Sequence, residues 1–275
     1  MTIDTLLQDS LTQLEAAQIP SASLDSQLLL AHVLGRSRTW ILTHGEILVS
    51  AKHARAYKLL CTRRLAREPL VHLTGTREFY GLDFIITPDV LTPRVETEQM
   101  VEWAITYTPK DSSLIDIGTG SGAIAVSIAK HRPDLSVYGT EVSLAALDVA
   151  KQNVAHHGVD VSLLESDLWA SVTGEFQTIV TNLPYLRDDA RTELMEEVKH
   201  EPDVALFGGV DGLDLYRRFL LQIQEHLSPG GHLFTECDPW QHEALTSEAA
   251  HYNLYPIEQG YFILGFEYKK SGPKR

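Results

Sequence analysis

The stretch T-N-L-P-Y-L at residues 181–186 follows an apolar run, F-Q-T-I-V, that reads as a buried strand. Asn182, Leu183, Pro184 and Tyr185 therefore stand where a strand ends, an amide beside a proline and an aromatic. Asn and Pro are ordinary turn formers, so this motif alone admits a plain turn. A second stretch, D-I-G-T-G-S-G-A-I-A at 116–125, lies where a strand becomes a helix. Gly118, Gly120 and Gly122, with Thr119 and Ser121 between them, let the backbone turn sharply and approach a ligand. The helix that follows presents free N–H groups at its start. Gly118, Gly120 and Ala123 also satisfy the dinucleotide-binding spacing, and Glu141 after the next strand suits a ribose-binding acid. An adenosine-containing cofactor is implied. The turn by itself leaves a nicotinamide and S-adenosylmethionine both open.

The Asn-x-Pro-aromatic stretch decides between them. Hydride transfer has no need of it after the fourth strand of such a fold; methyl transfer to a planar nitrogen does. An amide or aryl amine nitrogen is a poor nucleophile because its lone pair is delocalised. Two acceptors aimed at its hydrogens can hold it with the lone pair facing the methyl group: the Asn182 side-chain oxygen and the Leu183 main-chain carbonyl. Pro184 stiffens the turn, and Tyr185 can stack on the planar group or face a sulfonium as a cation–π partner. The gain comes from positioning and electrostatics, with no metal or covalent intermediate required. The histidines agree: His156, His157, His200, His232, His242 and His251 show no metal-ligand spacing and read as surface or core residues, with His200 a candidate to line the site.

These motifs need elements to carry them. Up to about residue 75 the pattern is helical: Ile3, Leu6, Leu7, Leu11 and Leu14 share a face, SLDSQLLLAHVLG continues to Gly35, SRTWILTH forms a short third helix, and Ser50 caps a fourth. REFYGLDFIIT at 77–87 reads as a hairpin about Gly81. From residue 113 strands and helices alternate, the signature of a parallel sheet covered on both faces. DLYRRFLLQIQEHL reads as one helix ended by SPGG, with a strand in GHLFTE. LYPIEQ and YFILGFEY, joined by one turn at Gly260, must pair antiparallel. The expected division is a helical domain at 1–75, a β-hairpin linker at 76–95 and an α/β domain at 96–275.

Bulk composition narrows the partners. The 275 residues carry 23 basic and 37 acidic side chains, a net charge of −14, so phosphate backbones are repelled and stable nucleic-acid binding is disfavoured. The basic run CTRRLAR at 61–67 reads as a solvated helix face. Cys61 and Cys237 form no ligand spacing, which fits a reducing cytoplasm without disulfides. Neither a signal peptide nor a membrane helix is expected, since LLLAHVLG is far too short to span a bilayer.

From about residue 68 onward the chain resembles the HemK/PrmC family, the protein-(glutamine-N5) methyltransferases that act on peptide chain release factors. The matching segments are EPLVHLTGTREFYGLDFIITPDVLTPRVETE, DIGTGSGAIA, NLPY and EPDVALFGGVDGLDLYR, the last being the most specific. The N-terminal helices match only in kind. The resemblance implies a Rossmann-like α/β fold, a seven-stranded sheet with an antiparallel terminal hairpin, preceded by a small helical bundle that helps dock the release factor. It implies S-adenosylmethionine as cofactor, its methionine moiety wrapped by residues 118–122 and its ribose held by Glu141. Asp167 and Trp169 would flank the adenine, the first by hydrogen bonding and the second by packing. Asn182 to Tyr185 would hold the glutamine of a Gly-Gly-Gln loop, Asn182 also bordering the cofactor. A monomeric, cytoplasmic enzyme is expected.

Three positions depart from the family. Leu183 replaces the first proline of Asn-Pro-Pro-Tyr, Val95 replaces the proline of Arg-Pro-Glu-Thr-Glu, and Glu141 stands where aspartate is common. Leu183 opens a rival, because NLPY resembles the motif of rRNA adenine-N6 dimethyltransferases, whose target amine is also planar. Glutamine methylation of a ribosomal protein is a closer rival. An adaptor that keeps the fold without activity is the third.

Overall fold

The computed structural model describes residues 1–270 and divides the chain into two units. The first comprises Met1–Thr76 with Met195–His200; the second comprises Arg77–Leu194 and the chain from Glu201 onward.

In the first unit α1 (Ile3–Ala16), α2 (Ala22–Leu34), α3 (Arg38–Thr43), α4 (Ala51–Leu65) and α5 (Leu70–Thr74) enclose Leu6, Leu29, Leu30, Ile41 and Tyr57. Thr2, Ser37 and Ser50 accept first-turn N–H groups, and Gly35 ends α2 at φ +58°, a left-handed cap that glycine adopts without strain. The basic run at 61–67 is only in part the solvated face the sequence suggests: Arg63 is exposed, but Arg64 is not. Arg64 is 4% exposed and pairs with Asp25 at 2.7 Å and Glu197 at 2.9 Å. Arg67 donates to the Ala17 carbonyl, and Arg63 pairs with Glu68. Breaking the buried Arg64–Asp25 pair would cost about 3–5 kcal/mol, against ~0–1 for an exposed pair such as Arg63–Glu68. Each of these arginines has an acidic or carbonyl partner, with Arg64 buried and Arg63 paired at the surface.

The second unit opens with a two-stranded sheet, β1 (Thr76–Phe79) and β2 (Leu82–Ile85), its turn made by Tyr80 and Gly81 at φ +50° and +73°. Positive φ at both centres is the twist-matched geometry of a two-residue hairpin. A 3₁₀ turn at Val95–Thr97 leads into α6 (Glu98–Tyr107). Then follow β3 (Ser113–Ile117), α7 (Ala123–His131), β4 (Ser136–Glu141), α8 (Leu144–His157), β5 (Val161–Glu165) and β6 (Phe176–Thr181). The chain closes with α9 (Asp214–Leu220), α10 (Ile223–His226), β7 (Leu227–Glu236), α11 (His242–Ala250), β8 (Leu254–Gln259) and β9 (Ile263–Tyr268).

The seven strands lie in the order β5-β4-β3-β6-β7-β9-β8, with β9 antiparallel to both its neighbours and β3 to β7 mutually parallel. Central β3 and β6 are buried along nearly their whole length, which is why they read as apolar runs. Two sequence expectations need correction here. The segment 214–227 is two short helices broken at Leu221–Gln222, and Ser228–Gly231 belongs to β7 instead of ending a helix. Pro229 and Gly230 are tolerated because the β6–β7 register slips between Phe176 and Thr178, and this irregularity asks no ladder bond of a proline.

Among the described residues no helix is long and apolar enough to cross a membrane, and no group of three His, Cys, Asp or Glu side chains is placed to hold a metal ion. Cys61 and Cys237 are buried free thiols.

Candidate active site

After β3 the chain runs to β4 and β5 on one side and returns to β6 and β7 on the other, so the order reverses between β3 and β6. Crevices at the carboxyl ends of strands beside such a reversal are where open α/β sheets bind ligands. Each chemical motif lies at one of those ends: Gly118–Gly122 after β3, Glu141 on β4, Asp167 after β5 and Asn182 after β6. They border one cleft of about 320 Å³, a size that suits a small-molecule cofactor.

The glycine loop is held from several directions. Gly118, Gly120 and Gly122 have φ of +76°, +56° and +80°, angles that penalise any side chain. The N–H groups of Gly118 and Thr119 donate to the Thr140 carbonyl at 2.9 and 2.8 Å. A Cβ at Gly122 would lie 3.3 Å from Ala150, so that glycine lets α7 and α8 approach; a Cβ at Gly120 would meet nothing within 4 Å, leaving open space beside the loop. Glu141 accepts from the Gly120 N–H and the Ser143 N–H, each at 2.9 Å, one per carboxylate oxygen. Each oxygen keeps a further acceptor site for a ribose hydroxyl. Buried Asn153, which the sequence gave no reason to single out, donates to the carbonyls of Ser121 and Ile85 and accepts the Ile85 N–H, tying the loop to the hairpin.

Asp116 lies beneath this loop, fully buried, with Oδ2 accepting the Thr119 hydroxyl at 2.6 Å and Oδ1 unpartnered. Burial pushes its carboxyl from 3.8 up to about 7, against the hydrogen bonds from Thr119 and the Ala125 N–H, with nearby Glu141 adding to the rise. The folded state therefore holds a proton that the unfolded chain releases, so this contribution to stability is complete below pH 3.8 and is lost as pH rises through about 7. Melting temperatures across that window should fall for the natural chain relative to Asp116→Asn; parallel curves would refute the raised pKa.

On β5's side the structure corrects one expectation. Trp169 does not border the cleft. It is 3% exposed, stacked on Phe219 and His226 at 5.0 and 4.5 Å, and donates its indole N–H to the Phe219 carbonyl. Its neighbour Leu168 borders the cleft instead, held at φ +51° while its carbonyl accepts from Ser166. Asp167 does border the cleft, where it pairs with Arg218 at 2.8 Å.

At the end of β6, Asn182, Leu183 and Pro184 border the cleft. Tyr185 does not: its ring walls a neighbouring hollow with Leu186, Arg187 and Trp240, and its hydroxyl donates to Glu236 at 3.2 Å. The sequence reading has Tyr185 stack on the planar group or face a sulfonium, and its position places it beside the cleft instead of on its border. The Leu183 side chain is 3% exposed and packs toward Gly118, where an added Cβ would lie 3.4 Å from it. The Tyr216 hydroxyl lies 3.3 Å from the Leu183 carbonyl and closer to that of Glu236. One hydroxyl hydrogen serves one acceptor well, so the Leu183 carbonyl retains capacity for a substrate N–H. Because that acceptor is main chain, Leu183→Pro should keep methyl-transfer activity within about tenfold of the unsubstituted chain; a dead variant with a normal melting curve would show that the turn has another shape.

The segment EPDVALFGGVDGLDLYR underlies this turn. Leu186 donates to the Leu206 carbonyl at 3.0 Å, and Gly208 donates to the Leu186 carbonyl at 2.8 Å. A Cβ on Gly208 would sit 2.2 Å from the Pro184 carbonyl oxygen, and one on Gly212 only 2.0 Å from that of Tyr185. Gly208 and Gly212 thus let backbone meet backbone beneath residues 184 and 185. Gln241 completes the support by donating to the Tyr185 and Asp211 carbonyls, both at 2.9 Å. Arg94 reaches Glu201 at 2.6 Å, and Thr97 reaches Glu236 at 2.6 Å. Sequence motifs did not single out these pairs, although a polar residue ending a parallel strand, as Glu236 does, is a usable signal. His200 lies in the first unit and borders no part of the cleft. Val95 is exposed, so the proline it replaces is not missed by packing.

Taken together, fold and cleft define a Rossmann-like methyltransferase that uses S-adenosylmethionine. Residues 5–75 match the family described as the PrmC N-terminal domain, and residues 104–209 match the methyltransferase small domain. The chain is 38% identical over 251 residues to the release factor glutamine methyltransferase of Deinococcus radiodurans, covering 90% of each chain. It is 42% identical over 227 residues to that of Burkholderia pseudomallei, covering 79% of this chain and 80% of the other. A 16S rRNA methyltransferase of T. thermophilus, solved with AdoMet and guanosine, superposes with a TM-score of 0.53 at 20% identity over 71% of this chain and 50% of that one, a likeness of fold. The chain belongs to the release factor glutamine methyltransferase family.

Proposed function

We propose that this protein transfers a methyl group from S-adenosylmethionine to the side-chain amide nitrogen of the glutamine in the Gly-Gly-Gln loop of peptide chain release factors. The observation that carries the reading is the pair of acceptors, the Asn182 side chain and the Leu183 carbonyl, at the strand end beside the glycine loop. The residues present fit the cofactor: three left-handed glycines, open space at Gly120 and a two-oxygen acceptor at Glu141. Residues 118–122 would hold its methionine part, Glu141 its ribose hydroxyls, and Asp167 with Leu168 its adenine.

Bound there, S-adenosylmethionine supplies an electrophilic methyl group on a sulfonium. Asn182 Oδ1 and the Leu183 carbonyl each accept one hydrogen of the glutamine amide, which fixes the nitrogen with its lone pair toward that methyl. As the N–C bond formed and the S–C bond broke, with its electron pair passing to sulfur to leave a thioether, positive charge would grow on the nitrogen and both hydrogen bonds would strengthen, so the acceptors favour the transition state over the ground state. The nitrogen then releases a proton to water, and no side chain is needed as base. Residues 1–75 serve to dock the release factor. The protein is read further as a cytoplasmic monomer, its acidic surface disfavouring stable nucleic-acid binding.

The test is transfer of label from radiolabelled S-adenosylmethionine to a release factor, beside the same factor with its loop glutamine changed and a sample of undermethylated ribosomes. Label on the natural factor, lost with the glutamine, is the expected result. Label on rRNA or a ribosomal protein alone would overturn it.

A further inference from the structure

Glu236 ends β7 at the same edge of the sheet as Asn182, is 2% exposed, and takes no part in the mechanism above. Its side chain gathers donors from two elements. Oε2 accepts the Thr97 hydroxyl at 2.6 Å, from the 3₁₀ turn before α6, and Oε1 accepts the Tyr185 hydroxyl at 3.2 Å. Asn182 lies beside it: β6 and β7 pair Thr181 with Thr235, so Asn182 and Glu236 follow at adjacent strand ends, and the Asn182 side chain favours the ionised form of the carboxyl. The Glu236 main-chain carbonyl accepts from buried Tyr216, whose oxygen also lies 3.3 Å from the Leu183 carbonyl. One residue therefore bonds Tyr185 directly, stands beside Asn182 and reaches Leu183 through Tyr216.

We propose that Glu236 is a positioning residue, which selects the orientation of the Asn182 amide that presents its oxygen to the substrate. A carboxamide is nearly symmetric in shape, so packing alone cannot tell its oxygen from its nitrogen. An ionised carboxylate can, because it only accepts. It draws the Asn182 N–H₂ toward itself and turns Oδ1 away, toward the cleft. The same bond polarises the amide and makes Oδ1 a better acceptor as the substrate nitrogen gains charge. The inference rests on the reading that Asn182 receives the substrate amide.

The other groups facing this carboxyl are few. Glu96 opposes its ionisation, while the charges of Arg94 and Asp238 bear on Tyr185, and buried Tyr216 and Cys237 flank its main chain. Burial holds its proton affinity up, and the hydrogen bonds from Thr97, Tyr185 and Asn182 hold it down.

The experiment uses the full chain with a release factor under single-turnover conditions. Glu236→Gln keeps the shape but offers both a donor and an acceptor, so it no longer selects. The methylation rate should fall roughly 10- to 100-fold, with affinity for S-adenosylhomocysteine and KM for the release factor within about twofold of normal. The pH–rate profile of the natural chain should show an acid limb set by Glu236, and that of Glu236→Gln should lack it. In an Asn182→Ala background the same change should add less than about twofold, since the group being oriented is gone.

A near-normal rate for Glu236→Gln beside a dead Asn182→Ala would overturn the positioning role and leave the proposed function standing. A near-normal rate for Asn182→Ala would instead sink the substrate-binding reading itself. If Glu236→Gln does not fold, Tyr185→Phe removes one donor from the carboxylate and should move the acid limb to higher pH; an unmoved limb would overturn the inference.

Discussion

Asn182→Ala is expected to lower turnover by about a thousandfold, the scale seen when one preorganised hydrogen-bonding group is removed from a transition state. The argument is geometric. The Asn182 side chain is only half-buried and lies outside the apolar core, so its truncation leaves no cavity and should leave the melting temperature nearly unchanged. The cofactor's proposed anchors, Glu141 and the glycine loop, sit at the ends of other strands and keep their partners. Calorimetric titration with S-adenosylhomocysteine should accordingly give affinities within about threefold of normal. A loss of cofactor affinity as large as the loss of rate would mean that Asn182 serves the cofactor and not the substrate nitrogen.

Gly212→Ala should be nearly as damaging, for a different reason. Gly212 adopts φ +76°, and an added methyl would lie 2.0 Å from the Tyr185 carbonyl oxygen and 2.5 Å from Gln241 Nε2. Neither neighbour is a free end: the first is main chain, and the second is fixed by bonds to Tyr185 and Asp211. The backbone of residues 184–186 must therefore shift by an ångström or so. A displacement of about 1 Å can cost a hundredfold in rate, and the strained backbone angle adds about 1–3 kcal/mol of destabilisation. A slower enzyme with a lowered melting temperature is expected, whereas Gly230→Ala, at the far end of β7 with φ +77° and nothing within 4 Å of an added Cβ, should show the second effect without the first. Equal losses of rate in the two variants would show that the support under Tyr185 is not what matters.

The parts legible in the sequence are those written in consecutive residues at strand ends. The glycine loop and NLPY each carry their chemistry within a few positions, and the alternation of apolar runs with amphipathic helices gives the parallel sheet directly. What the sequence hid depends on which way a side chain points or on a distant partner. Trp169 and Leu168 are adjacent, and only the turn held by Ser166 decides that the leucine borders the cleft while the indole enters the core. Thr97 meets Glu236 across 139 residues and Arg94 meets Glu201 across 107, separations over which no local spacing rule operates. The segment EPDVALFGGVDGLDLYR is recognisable as a block, but its purpose emerges only when Gly208 and Gly212 are found pressed against the carbonyls of the turn. Arg64 misled for a related reason: a basic residue among basic neighbours reads as solvated until Asp25 and Glu197 are seen beside it.

The helical unit is discontinuous in sequence, since Met195–His200 belong to it while the residues on either side belong to the catalytic unit. Glu197, on that excursion, spends its charge on Arg64 and Arg67. The excursion departs after the 3₁₀ turn Asp188–Thr192 that follows NLPYL, and the chain rejoins the second unit at Glu201, the residue that Arg94 grips. Modular inheritance is thereby restricted. A recombination that brought in a foreign helical domain by cutting near residue 76 would import its own arginines but leave behind the stretch they must hold. Exchange between relatives can succeed only where residues 195–200 travel with 1–76 or already match them, so the two segments are bound to change together over time.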